Sequence, residues 1–138
     1  MTDYVKNVNT ESDEYEKKRK REAEEAVALI NQAAKEKAAK EAAITDAAVA
    51  EENRAALAAA DTAAVQRQIT VSQAKEKLAA MGLLDSGLAN ATAHAAGVYQ
   101  TRQTNAANTK RDAAVLSLTE ALARTEAELE RDRAAAVQ

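Results

Sequence analysis

Few residues in this sequence could do covalent chemistry. His94 is the sole histidine among 138 residues, and there is no cysteine. A nucleophilic relay needs a histidine poised between a nucleophile and an orienting carboxylate. A zinc site needs several His or Cys ligands converging on one point. One histidine cannot build a multi-histidine site, and the lack of cysteine removes thiolate ligands, thiol nucleophiles and disulfides together. A packed or solvent-facing His94 is therefore the expectation. Carboxylates are plentiful, 22 Asp and Glu against 19 Lys and Arg. They fall four residues from bases, as in Glu14 with Lys18 and Glu36 with Lys40. That is the spacing of ion pairs along a helix face rather than of an acid–base couple. Gly82 and Gly87 do not complete a G-x-x-x-x-G-K phosphate loop. Asn90-Ala91-Thr92 has the form of a glycosylation acceptor, but it falls on a predicted helix. The opening residues Met1-Thr2-Asp3-Tyr4-Val5-Lys6 also lack the apolar run of a secretory signal. The chain reads as non-enzymatic, with no catalytic residue, no cofactor and no metal site.

Charge is the remaining chemistry. The block Lys17-Lys18-Arg19-Lys20-Arg21 is the densest run of one sign. Its functional reading is contact with nucleic acid or an anionic membrane. Its plainer reading is a solvated helix face, because Lys18 can pair with Glu22, Lys20 with Glu24 and Arg21 with Glu25. The plainer reading is preferred, since the net charge of −3 argues against a dedicated nucleic-acid binder. No stretch approaches the roughly 18 apolar residues that a membrane-spanning helix requires.

The elements that carry these residues follow from composition. There is no Pro, Trp or Phe, and Tyr4, Tyr15 and Tyr99 are the only aromatic residues. Hydrophobic residues make up 46% of the chain, but Ala dominates them. An Ala methyl contributes at most about 0.8 kcal/mol on burial. Ala, Glu, Lys, Arg, Gln and Leu lose little side-chain freedom in a helix. The chain is thus rich in helix formers and poor in core formers, which favours long helices over disorder. Residues 1–9 show no period and read as a flexible N-terminal arm. Thr10 and Asp13 have the spacing of a capping box and open a long helix over 10–81. The β-branched run Ile69-Thr70-Val71 predicts a bend near 69–72. Residues 82–87 form a turn in which Gly82 takes positive φ to end the first helix, and Asp85 or Ser86 caps a second helix over 88–136.

A short turn between two long helices predicts antiparallel neighbours. With Met81 opposite Leu88, Val71 falls opposite Val98, Leu78 opposite Ala91 and Ala48 opposite Ala121, while Leu57 meets Asp112. A heptad seam begun at Val27 collects Ile30, Ile44, Val65 and Ile69, but also Lys37, Glu41 and Glu51. Helix two offers a cleaner stripe in Val115, Leu118, Leu122 and Leu129. The expected packing residues are Val71, Leu78, Met81, Leu88, Val98, Leu118, Leu122 and Leu129. The expected fold is all-α: a long antiparallel helical hairpin, elongated, within an oligomeric helical bundle. One copy cannot cover its Ala faces, so the chain itself is the first partner expected.

Two resemblances attach to particular residues. Asn31-Gln32-Ala33-Ala34-Lys35-Glu36-Lys37-Ala38-Ala39-Lys40-Glu41-Ala42 resembles one copy of the eleven-residue repeat of late-embryogenesis desiccation proteins. Ala79-Ala80-Met81-Gly82-Leu83-Leu84-Asp85-Ser86-Gly87-Leu88, with Thr92 and Tyr99 beyond it, resembles the turn of Ala-rich helical virion proteins of tailed bacteriophages, either of the tail region or of the internal ejection core. The second resemblance implies a structural virion component in a tail, neck or internal core. It would be made in the bacterial host cytoplasm, with itself and other virion proteins as partners and membrane contact only if it is an ejection protein. The alternatives are a scaffolding or assembly chaperone protein and an amphipathic membrane- or stress-associated helix protein. The first helix outruns the second, leaving Tyr4, Tyr15, Lys17, Lys18, Arg19, Lys20 and Arg21 as candidate docking residues for a neighbouring virion protein.

Overall fold

The computed structural model describes residues 2–138, with side chains described from residue 10 onward. All regular structure among the described residues is helical. Helix α1 covers Thr2–Ala80, 79 residues, helix α2 covers Leu88–Val137, 50 residues, and no strand occurs. The helix begins at Thr2 rather than at the predicted Thr10 cap, which places residues 2–9 in α1 instead of an arm. Once a helix is nucleated, each further residue costs little to add, and no Pro or Gly lies in the first nine positions to oppose it. Helix assignment is also unbroken through Ile69–Ser72. The low propensity of β-branched residues there is a few tenths of a kcal/mol each, too little to interrupt so long a helix. The side chain of Tyr4 lies outside the described residues.

The turn has a specific backbone logic. Gly82 sits at φ +73°, in the left-handed region that other residues avoid. The Leu83 N–H donates to the Leu78 carbonyl at 2.8 Å and the Gly82 N–H to the Ala79 carbonyl at 3.1 Å. That pair of reversed bonds is the Schellman closure of a helix C-terminus. The Ser86 N–H then returns to the Leu83 carbonyl at 3.1 Å, closing a four-residue turn. Gly87, at φ +86°, holds the position from which α2 begins, and its carbonyl accepts the Ala91 N–H at 3.1 Å. Of the two expected caps, the structure selects one. Ser86, not Asp85, supplies the side chain, its Oγ donating to the Leu83 carbonyl at 2.6 Å and facing the Leu88 N–H at 3.5 Å. The glycine takes the backbone role because positive φ is needed there.

The chain forms two compact units. One contains residues 1–43 and 122–138, the other residues 44–121. In the first, Val27, Ile30, Ala34 and Ala38 of α1 and Leu122, Leu129 and Arg133 of α2 are half-buried. Arg133 Nη1 donates to Asn31 Oδ1 at 2.9 Å. Residues 10–26 are exposed throughout. In the second, Ala56, at 5% exposure, is the one buried residue among those described. Around it, half-burial recurs every eleven residues, at Val49, Ala60 and Val71, at Glu52, Ala63 and Ala74, and on α2 at Ala96, Ala107 and Leu118.

That eleven-residue stride corrects the heptad seam. Eleven residues in three turns is about 3.67 per turn, whereas a heptad needs 3.5. A seam counted in sevens from Val27 drifts off the paired face, which explains why Ile44, Val65 and Ile69 are exposed at 56%, 54% and 44%. The expected packing residues divide in the same way. Val71, Leu78, Leu118, Leu122 and Leu129 are half-buried, whereas Met81, Leu88 and Val98 are exposed in the single chain. Met81 and Leu88 flank the turn, beyond the last half-buried positions of each helix, and Val98 lies off the stride.

Candidate helix-packing surfaces

The unit of residues 44–121 carries two kinds of contact between its helices. Polar contact centres on Arg67, whose Nη1 donates to Gln100 Oε1 at 3.1 Å. The same guanidinium lies against Gly97 so closely that a Cβ there would stand 3.3 Å from Arg67 Nη2. Elsewhere the helices meet through small side chains. A groove of about 440 Å³ runs between Ala59, Thr62, Ala63 and Gln66 on α1 and Tyr99, Gln103 and Ala106 on α2. Tyr99 stands at its edge, 59% exposed. His94 is exposed and borders a different groove with Arg67, Val98 and Arg102.

The basic block is placed differently from its expected neutralisation. Lys17, Lys18, Arg19, Lys20 and Arg21 are all exposed, and Arg19 lies 6.0 Å above the Tyr15 ring, a cation–π distance. The ion pairs among the described residues are Arg54 with Glu51, Arg111 with Asp112 and Arg133 with Glu130. The i,i+4 pairs expected at Lys18, Lys20, Arg21 and Lys40 are open, and Glu36 instead accepts from Gln32 at 3.0 Å. Exposed pairs of this type contribute only about 0.3–0.5 kcal/mol, so side-chain freedom outweighs them. The Arg133–Glu130 pair is the better formed. Its hydrogen bonds, then its Coulomb attraction, hold the Glu130 carboxyl below the usual carboxylate range and raise Arg133.

One feature of the sequence stands out only once the helices are paired. Asp61, Arg67 and Arg102 are the only charged residues within 55–74 and 86–109, in a chain that is 30% charged. The Arg67–Gln100 bond joins these two stretches. A running count of charge along the sequence carries this signal, but each stretch alone resembles ordinary Ala-rich helix.

Among the described residues, no group of three or more His, Asp or Glu is placed to hold a metal, and no helix is long and apolar enough to cross a membrane. What the molecule presents is two long helices with small-residue grooves and a large unburied apolar surface. No protein family, curated protein or solved structure matches the chain.

Proposed function

We propose that this chain is a structural component of a bacteriophage virion, in the tail, neck or internal core, that works by helix–helix packing with copies of itself and with neighbouring virion proteins. One observation carries the packing part. Ala56 is the only buried residue among those described, while Leu29, Ile44, Leu57, Tyr99 and Leu116 are each more than half exposed. The accessible surface is 10764 Å², against about 6,900 Å² for a compact monomer of this mass. Such a chain gains its missing burial only from other chains. Within the chain, the Arg67–Gln100 and Asn31–Arg133 bonds, each inside its own unit, support antiparallel pairing of α1 with α2. The virion setting is supported by the turn residues Met81-Gly82-Leu83-Leu84-Asp85-Ser86-Gly87 and their likeness to phage virion proteins.

Two measurements test the proposal. Light scattering after size exclusion, at several concentrations, should give a mass above 14.7 kDa. A stable, compact monomer at every concentration would sink the packing part. Mass spectrometry of purified particles should detect the chain. Its presence during assembly and absence from finished particles would replace the structural role with a scaffolding one.

A further inference from the structure

We propose that residues 55–74 and 86–109 form a charge-poor belt around one unit, and that its occupant is the same belt of a second copy, docked at the same level. This rests on the helix-packing part of the function proposed above and not on the virion setting. The first ground is charge. A helix surface destined for water normally keeps charged residues for solubility, whereas the centres of protein interfaces are depleted of them because an unpaired charge is costly to desolvate. Here both helices lose charge, and the Arg67–Gln100 bond sets residues 58–74 level with residues 93–109, where the two losses overlap. Thr, Gln, Asn and Ser replace the charges, side chains that can exchange water for a neighbour's hydrogen bonds.

The second ground is shape. The groove has the small side chains of Ala59, Ala63, Ala106 and Ala107 in its walls, with Tyr99 and Lys110 also lining it, and small side chains let a further helix approach at the short end of about 8–10 Å. Tyr99 on its rim, with Val65 and Ile69 exposed on the same belt, supplies larger contacts. Aromatic residues of this kind are enriched at interface centres. The third ground is area. The chain as a whole, of which the belt is one part, exposes about 3,800 Å² more than a compact monomer, and a stable dimer needs about 800 Å² from each chain.

A second copy fits better than a charged partner. Asp61 is the only carboxylate on the belt, Arg67 is already engaged by Gln100 and Arg102 is the one further cation, so little remains to steer a strongly charged protein or nucleic acid. On either side the chain returns to charge at Glu51, Glu52 and Arg54, at Lys75, Glu76 and Lys77, and at Lys110, Arg111 and Asp112. Two copies bring neutral surface against neutral surface only when their belts are level. A slip along the axis buries these charges without partners, so the flanks fix the register.

Sedimentation equilibrium on the full chain tests this with three substitutions. Ala59→Glu and Ala106→Glu place a carboxylate at exposed positions on the belt, and Ala47→Glu places one at an exposed position outside it. Circular dichroism reports whether each variant keeps its helicity. The expected result is a self-associating parent, a dissociation constant raised about tenfold or more by each belt variant, and an Ala47→Glu variant that associates like the parent. An oligomer indifferent to Ala59→Glu and Ala106→Glu, or equally weakened by Ala47→Glu, overturns the belt while leaving helix packing intact. A parent that is monomeric throughout overturns both. Binding of the parent to phosphatidylcholine vesicles that the belt variants abolish would assign the belt to a lipid surface and also overturn the proposal.

Discussion

Gly82 and Gly87 allow a clean separation of backbone strain from packing. Both have positive φ, and a Cβ built on either would meet nothing within 4 Å. Replacing them with Ala therefore adds no clash and deletes no contact, so the cost is conformational alone. Holding an L-residue in the left-handed region costs roughly 1–2 kcal/mol, offset in part by about 0.4–1 kcal/mol from stiffening the unfolded chain. The net for each Gly→Ala change is about 1 kcal/mol. At about 2.1 cal/mol/K per residue, unfolding a chain of this length has an entropy near 290 cal/mol/K, so 1 kcal/mol lowers Tm by about 3–4 °C. Gly82→Val should cost more, because β-branching narrows the left-handed region further, and Gly82→Asn should cost least, because Asn tolerates it. The two glycines bracket one turn, so a backbone shift that relieves one relieves the other, and the double Ala variant should show less than twice the single effect. Thermal melts followed by circular dichroism at one fixed concentration measure all five variants. Equal melting temperatures for parent, Gly82→Ala and Gly82→Val would refute the reasoning, since they would mean the chain does not pass through that conformation at the turn.

Three further outcomes follow from the same geometry. Gly97→Ala should stabilise the chain by about 0.5–1 kcal/mol, because a mid-helix glycine is poor in helix propensity and the atom that must yield is the mobile end of Arg67; a lower melting temperature would show that Arg67 is held too firmly to move. Glu130 has a lowered pKa, so what its pairing contributes is complete above the ordinary carboxylate range and is lost as pH falls through the lowered value. The pair is exposed, so Glu130→Gln should lower neutral-pH melting only slightly and flatten the acid side of the stability profile by the same small amount, as melts across a pH series would reveal. Removing residues 1–25 should leave the oligomeric mass and the helicity of the rest nearly intact while preventing incorporation into particles. Normal incorporation of the truncated chain would move the docking site elsewhere, with the Leu118–Leu129 stripe the first alternative.

Much of the architecture was legible because it rests on local chemistry. Without Pro, and with Gly confined to three positions, helices had few places to stop, and Gly82 marked the one that mattered. The start at Thr2 was not legible, since Thr10 with Asp13 imitates a cap and only propagation from the helix beyond decides against it. The paired face was not legible either. Ala fills both the half-buried and the exposed positions, so hydrophobicity carries almost no periodic signal, and the large apolar residues that suggested heptads lie off the stride. Arg67 escaped notice for a related reason. A lone arginine in an Ala/Gln/Thr stretch gives no hint that its guanidinium lies against a glycine of the other helix.

The eleven-residue stride makes the length of the chain a stepped quantity. Removing or adding eleven residues shifts a helix by three whole turns, about 16.5 Å, and returns each side chain to its former direction. At the same pitch, removing seven leaves the following side chains about 33° out of phase, and removing two or five turns them toward the opposite side. Changes of length are therefore tolerated only in matched steps of eleven on both helices. A set of related chains would differ like rungs of one ladder, in increments of a single gauge.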